Sequence, residues 1–122
     1  MNIFVVENST VIDKSLQSML SDIPDVTVVG HSADERDAIE HINELLPDVV
    51  ILDVSLQSGS GIGVLENVKK HHAEIKVMML TYYSDEYYAE RCKRAGADYF
   101  FDKFFQLAQV RAVFCQWAHR PP

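Results

Sequence analysis

Long apolar runs are missing from this sequence of 122 residues. None approaches the ~20 consecutive residues that a membrane-spanning helix requires, and no charged segment leads into an apolar signal stretch at the start. A cytoplasmic chain with no membrane association is the expectation. Cysteine is scarce: Cys92 and Cys115 share no metal-ligand spacing, and each falls within a helical pattern, so buried thiols are expected rather than a disulfide or metal framework. Basic runs are absent as well. With 11 Lys and Arg against 18 Asp and Glu, for a formal charge of -7, no stretch offers a path for a phosphate backbone, and direct nucleic-acid binding is not expected. His31, His41, His71, His72 and His119 fall on different elements. Apart from the adjacent pair they lack ligand spacing toward one another, so a histidine metal site is not expected either.

What is present is apolar material in regular alternation. Hydrophobic residues make up 48% of the chain, enough for one substantial core, and residues 1–122 are expected to form one domain, with 119–122 a tail or linker stub. Short continuous apolar runs give way five times to helical spacing, the signature of alternating strands and helices around a parallel sheet. The strands are expected at Asn2–Val6, Val26–Gly30, Val49–Asp53, Lys76–Thr81 and Tyr99–Asp102.

The intervening helices carry their own signals. In the first, Ile12, Leu16, Met19, Leu20 and Ile23 recur at helical spacing, Ser9 or Thr10 can cap it, and Pro24 lies beyond its end. The second is introduced by Ser32 and Glu35, spaced as a capping box, with Ile39, Ile42 and Leu46 facing inward and Pro47 closing it. The third turns Ile62, Leu65 and Val68 inward and ends on Lys69, Lys70 and His71, which suit the negative end of a helix dipole. Ser84 can cap the fourth, and Gly96 can close it in the left-handed conformation. The fifth repeats Leu107, Val110, Phe114 and Trp117. Strands apolar on both faces must be covered by helices on both sides, which gives an α/β, doubly wound, five-stranded parallel sheet of flavodoxin-like (βα)5 form.

In such sheets function gathers beyond the C-terminal ends of the strands. The polar residues there are Glu7 and Asn8, Asp53, Thr81 and Lys103. The third strand runs out into "DVSLQSGSG", with Gly61 eight residues after Asp53; Gly96, Ala97 and Asp98 precede Lys103, and the aromatic Phe100 stands three before it. Together these positions resemble a response-regulator receiver domain, the CheY-like phosphoacceptor module of two-component signalling, over essentially the whole chain.

The resemblance implies that Asp53 is the phosphoacceptor, served by a histidine kinase or a histidine phosphotransfer protein. It further implies a Mg²⁺ site from Glu7, Asn8, Asp53 and the backbone carbonyl of Ser55. Lys103 would contact the phosphoryl oxygens, Thr81 would bond to them after transfer, and Phe100 would turn inward. A downstream protein would then sense the surface of the fourth helix, fifth strand and fifth helix. Such a domain signals rather than acting as an enzyme, catalysing at most its own phosphotransfer and dephosphorylation. The chemistry suits the residues, because a carboxylate attacks a phosphoryl group in line once a divalent cation offsets the accumulating charge.

The sequence departs from the family's pattern at several points. Asn8 stands where a second acidic residue is usual, which lowers the charge attracting a cation. Phe104 replaces the proline after the Lys, so a trans bond and a shifted loop are expected. Tyr82, beside Tyr83, replaces a small residue and adds bulk at the site's entrance, and Gln57 stands where Pro is common. The aromatics Tyr82, Tyr83, Tyr87, Tyr88, Phe104 and Phe105 concentrate near the output face, which suggests a partner or a second copy of the chain there. Two alternatives stay open: a pseudo-receiver that binds its partner without phosphorylation, and a flavodoxin-like nucleotide or flavin binder. Against the latter, "ENSTVID" follows the first strand in place of a Gly-rich phosphate loop.

Overall fold

A computed structural model describes residues 1–82, 86–103 and 107–118. Its elements run β1 (Asn2–Val6), α1 (Thr10–Ser21), β2 (Thr27–Ser32), α2 (Glu35–Leu45), β3 (Val49–Leu52), α3 (Gly61–His71), β4 (Lys76–Thr81), α4 (Glu86–Arg94), β5 (Tyr99–Asp102) and α5 (Leu107–Ala118). The five strands pair in parallel in the order β2-β1-β3-β4-β5. This is the doubly wound, flavodoxin-like arrangement expected.

Strand alternation divides the core in two. From β1, Phe4 and Val6 face one layer, where Ala38, Ile42, Ile62, Leu65, Val68 and Cys92 pack from α2, α3 and α4. Ile3 and Val5 face the other, with Leu16 and Leu20 of α1 and Val110 and Phe114 of α5. Every residue of β3 is buried. Cys92 is fully buried, and burial holds its thiol above the ordinary value.

Several local expectations give way to tertiary structure. β2 starts one residue later than expected and continues to Ser32, following a register irregularity against Ile3 and Phe4 of β1. Ser32 therefore belongs to the strand, and the cap of α2 is Asp34, whose carboxylate accepts from the Asp37 N–H at 2.8 Å. Leu46 does not face inward: it is the C-cap of α2 in the left-handed conformation and is 54% exposed. Ala38 is buried on that face beside Ile42. Ser9 caps α1, its hydroxyl accepting from the Ile12 N–H, and Gly96 closes α4 with φ +101°. Tyr83, Ser84, Phe104, Phe105 and the tail 119–122 lie outside the described residues, as does the Leu107 side chain.

Candidate functional site

The strand order reverses between β1 and β3, neighbours from which the chain departs in opposite directions, and a crevice opens beyond their ends. Glu7 follows β1 and Asp53 follows β3, so both carboxylates enter it. Lys103 reaches them from the end of β5, its backbone N–H bonded to the Thr81 carbonyl at 3.1 Å. The ammonium donates to Glu7 Oε1 at 2.6 Å and to Asp53 Oδ2 at 2.8 Å. All three side chains are almost completely buried, at 2%, 5% and 2% exposure for Glu7, Asp53 and Lys103.

Two carboxylates thus share one ammonium in a region largely removed from water. Burial, supplemented by the nearby Asp53 charge, pushes the Glu7 carboxyl above its ordinary value despite the opposing hydrogen bonds from Lys103 and the Ser9 N–H. For Lys103, burial acts to lower the value, but hydrogen bonds and charge from Asp53 and Glu7 outweigh it. The ammonium is held in its protonated form.

Glu7, Asn8, Ser9, Asp53, Ser55, Tyr82 and Lys103 line one cleft of about 280 Å³. Six of the eight residues expected at the site therefore meet there. The other two do not line it: Thr81 is fully buried at the end of β4, and Phe100 is half-buried against the layer that holds Tyr88 and Cys92. Tyr82 is 46% exposed, and its ring centroid lies 4.8 Å from the Lys103 ammonium, a cation–π contact over the clamped cation. Tyr87 is exposed beyond it, edge-on to the half-buried Tyr88.

The loop after Asp53 explains why glycine stands eight residues on. A Cβ on Gly61 would lie 1.7 Å from the Asp53 carbonyl oxygen, and the Gly61 N–H donates to the Val54 carbonyl at 2.8 Å. Ser55 returns a weak 3.4 Å bond from its N–H to Asp53 Oδ1, and Gln57 Nε2 donates to the Asn8 carbonyl at 3.4 Å.

One residue of this region was misassigned from sequence. Glu35 completes no capping box with Ser32; its Oε1 accepts from the Ser60 N–H at 2.7 Å, at the head of α3. A local motif at the correct spacing concealed a contact 25 positions away. The flanking glycines, Gly59 and Gly63, were the available signal.

The residues lining the cleft carry oxygen donors that would serve a cation: the Glu7 and Asp53 carboxylates, an amide on Asn8 and a backbone carbonyl on Ser55. Such a set suits a hard divalent ion that keeps part of its water. Among the described residues no group of three or more His, Cys, Asp and Glu is arranged to hold a metal, in keeping with Asn8 replacing a carboxylate. Among them, too, no helix is long and apolar enough to cross a membrane.

Known proteins with the same construction narrow the assignment. The family model "Response regulator receiver domain" matches residues 3–114. The protein-glutamate methylesterase/protein-glutamine glutaminase 1 of Methanospirillum hungatei JF-1 is 33% identical over 121 residues, covering 97% of this chain and 35% of that protein. The response regulator domain of Thermotoga maritima CheB superposes with a TM-score of 0.84 at 26% identity, over 100% of this chain and 98% of that one. CheY in the CheX-CheY-BeF3-Mg+2 complex of Borrelia burgdorferi is similar in fold, with a TM-score of 0.81 at 23% identity over 93% of this chain and 89% of the other. The chain spans 35% and 54% of two of the curated relatives it matches. A buried Asp–Lys–Glu cluster at the sheet's switch point, with that family match over nearly the whole chain, makes this chain a member of the response-regulator receiver domain family.

Proposed function

We propose that this domain, in the cytoplasm, accepts a phosphoryl group on Asp53 from a histidine kinase or histidine phosphotransfer protein. The observation that carries the reading is the buried Asp53 carboxylate at the end of a central strand, 2.8 Å from Lys103 Nζ and facing an open cleft. A carboxylate oxygen of Asp53 attacks phosphorus in line. The bond from phosphorus to the donor's imidazole nitrogen breaks as the acyl phosphate forms, and the electron pair leaves with the imidazole.

Lys103 exchanges part of its contact with Asp53 and Glu7 for the incoming phosphoryl oxygens. Glu7, the Asn8 amide, Asp53 and the Ser55 carbonyl are the residues that would hold Mg²⁺. When bound, that ion offsets negative charge on the transferring group. Tyr82, lying over the Lys103 ammonium, narrows the donor's approach. After transfer, the Thr81 hydroxyl donates to the phosphoryl group, and Phe100 turns into the space vacated. The surface of α4, β5 and α5 changes as a result, and a downstream protein or a second copy of the chain binds there. The exposed Tyr87 supports that location.

Intact-mass measurement after incubation with acetyl phosphate tests the reading. A gain of one phosphoryl group that needs Mg²⁺ and is absent in Asp53→Asn supports it. No gain under any condition favours the second reading, a pseudo-receiver that binds its partner unphosphorylated. Asn8 and the Tyr82 ring over Lys103 are the features on its side.

A further inference from the structure

The segment from Val54 to Ser60 carries the Ser55 carbonyl and adjoins Asp53; Val54 and Leu56 anchor it in the core, while Ser58, Gly59 and Ser60 are small, turn-forming residues. Its polar part is held by a bridge between Ser55 and Ser60, the bond from the Gly61 N–H back to the Val54 carbonyl, and the Ser60 hydroxyl, which accepts from the Ile62 N–H as the cap of α3. Further support comes from the start of α2. Asp34 pairs with Ser58 in strand-like fashion, Glu35 N–H donates to the Ser58 carbonyl at 2.9 Å, and Gln57 N–H donates to the Ala33 carbonyl at 3.0 Å.

The Glu35 side chain completes this seat. Besides bonding Ser60 N–H, it brings a negative charge to the N-terminus of α3, whose own first turn has no acidic residue. Glycines make the approach feasible. A Cβ on Gly59, which has φ +85°, would lie 2.5 Å from Glu35 Cβ, and one on Gly63 would lie 2.4 Å from Glu35 Oε2. The carboxylate therefore occupies a slot that side chains at either position would close.

We infer that Glu35 is a positioning residue for the acceptor site. By bonding Ser60 N–H it fixes the far end of the 54–60 loop, and thereby holds Ser55 at the cleft beside Asp53, where its carbonyl would serve a divalent cation. This inference rests on the proposed roles of Asp53 and Ser55. Glu35 touches neither the phosphoryl group nor the cation; it acts through the loop.

The test compares the unaltered chain with Glu35→Gln, which keeps an acceptor of the same length, and Glu35→Asp, which keeps the charge but is one methylene too short. Mg²⁺ alone is titrated calorimetrically into each, and amide exchange is followed over residues 54–61. Glu35→Asp should weaken Mg²⁺ binding about tenfold and speed exchange in the loop, while Glu35→Gln stays within about twofold of the unaltered chain, the scale seen when groups supporting a metal ligand are removed. Glu35→Asp binding Mg²⁺ as the unaltered chain does, or Glu35→Gln weakening it as much as Glu35→Asp, overturns the inference. If the unaltered chain takes up a phosphoryl group while the variants match it in affinity, only the role of Glu35 fails. An unaltered chain with neither Mg²⁺ heat nor phosphoryl gain removes the phosphoacceptor reading itself, and the role of Glu35 with it.

Discussion

The half of the molecule that presents Asp53 and the half that ends in α4 and β5 are built to different standards. All of β3 is buried, and α3 buries Gly61, Ile62, Val64, Leu65 and Val68. By contrast, each residue of β5 is only half-buried, and α4 buries Cys92 alone. Few buried contacts mean a low free energy of local opening. The difference teaches that the rearrangement proposed to start at Asp53 would be taken up by α4 and β5, where displacement costs least, while the frame around Asp53 stays fixed. Lys103 joins the two halves, anchored in one by its carboxylates and in the other by its chain position.

Cutting that join should have the largest effect. Lys103→Met leaves two buried carboxylates without their cation, and at neutral pH it should cost about 4 kcal/mol in denaturant unfolding, the scale for removing one partner of a buried ion pair. The pH dependence follows from the direction of each shift. Glu7 already titrates above its ordinary 4.5 in the folded protein, so the native state holds more protons than the unfolded one just above that pH, and stability falls as pH rises there. Without Lys103 the fall should steepen, so the variant regains ground on acidification toward pH 5. In the unaltered chain Lys103 titrates above 10.5. Its contribution is complete below 10.5 and is lost as pH rises through the folded value, so the two proteins converge in strong alkali. Equal stability at pH 7 would show that the join is not where the halves are held.

A smaller loss is expected from Gly61→Ala, which drives a methyl group into the Asp53 carbonyl within the stiff half. Overpacking of this kind costs about 3 kcal/mol, measurable as a lowered midpoint at constant denaturant slope. Smaller still should be Cys92→Ala, at about 1 kcal/mol, since it thins the one fully buried anchor of α4. Amide exchange in that variant should accelerate in α4 and leave β3 unchanged. Acceleration in β3 of the same size would erase the contrast between the halves.

How far the sequence revealed this depended on the range of the interactions. Strands that face helices on both sides are continuously apolar, and β1, β4 and β5 lie where the pattern puts them. Helix α2 misled because its start is set by its neighbours. Ser32 is claimed by the sheet, where its hydroxyl bonds Asp37 Oδ2 at 2.7 Å, and Glu35 is claimed by α3. Periodicity counted Leu46 as inward, but the helix had already ended, and its positive φ turns the side chain out. At the site, Glu7, Asp53 and Lys103 are 46 and 50 positions apart in succession; only the alignment of strand ends could join them. Glu35 had no such alignment to disclose it.

The single tryptophan of the chain sits edge-on to both Tyr99 of β5 and Phe114 of α5, at 5.6 and 5.2 Å between ring centroids. Its fluorescence therefore reports on the contact of β5 with α5, and none of it on the cleft, which Trp117 does not line. If Asp53 takes up a phosphoryl group as proposed, the protein carries its own optical probe of the response, one that needs no dye and watches the contact of β5 with α5 rather than the cleft.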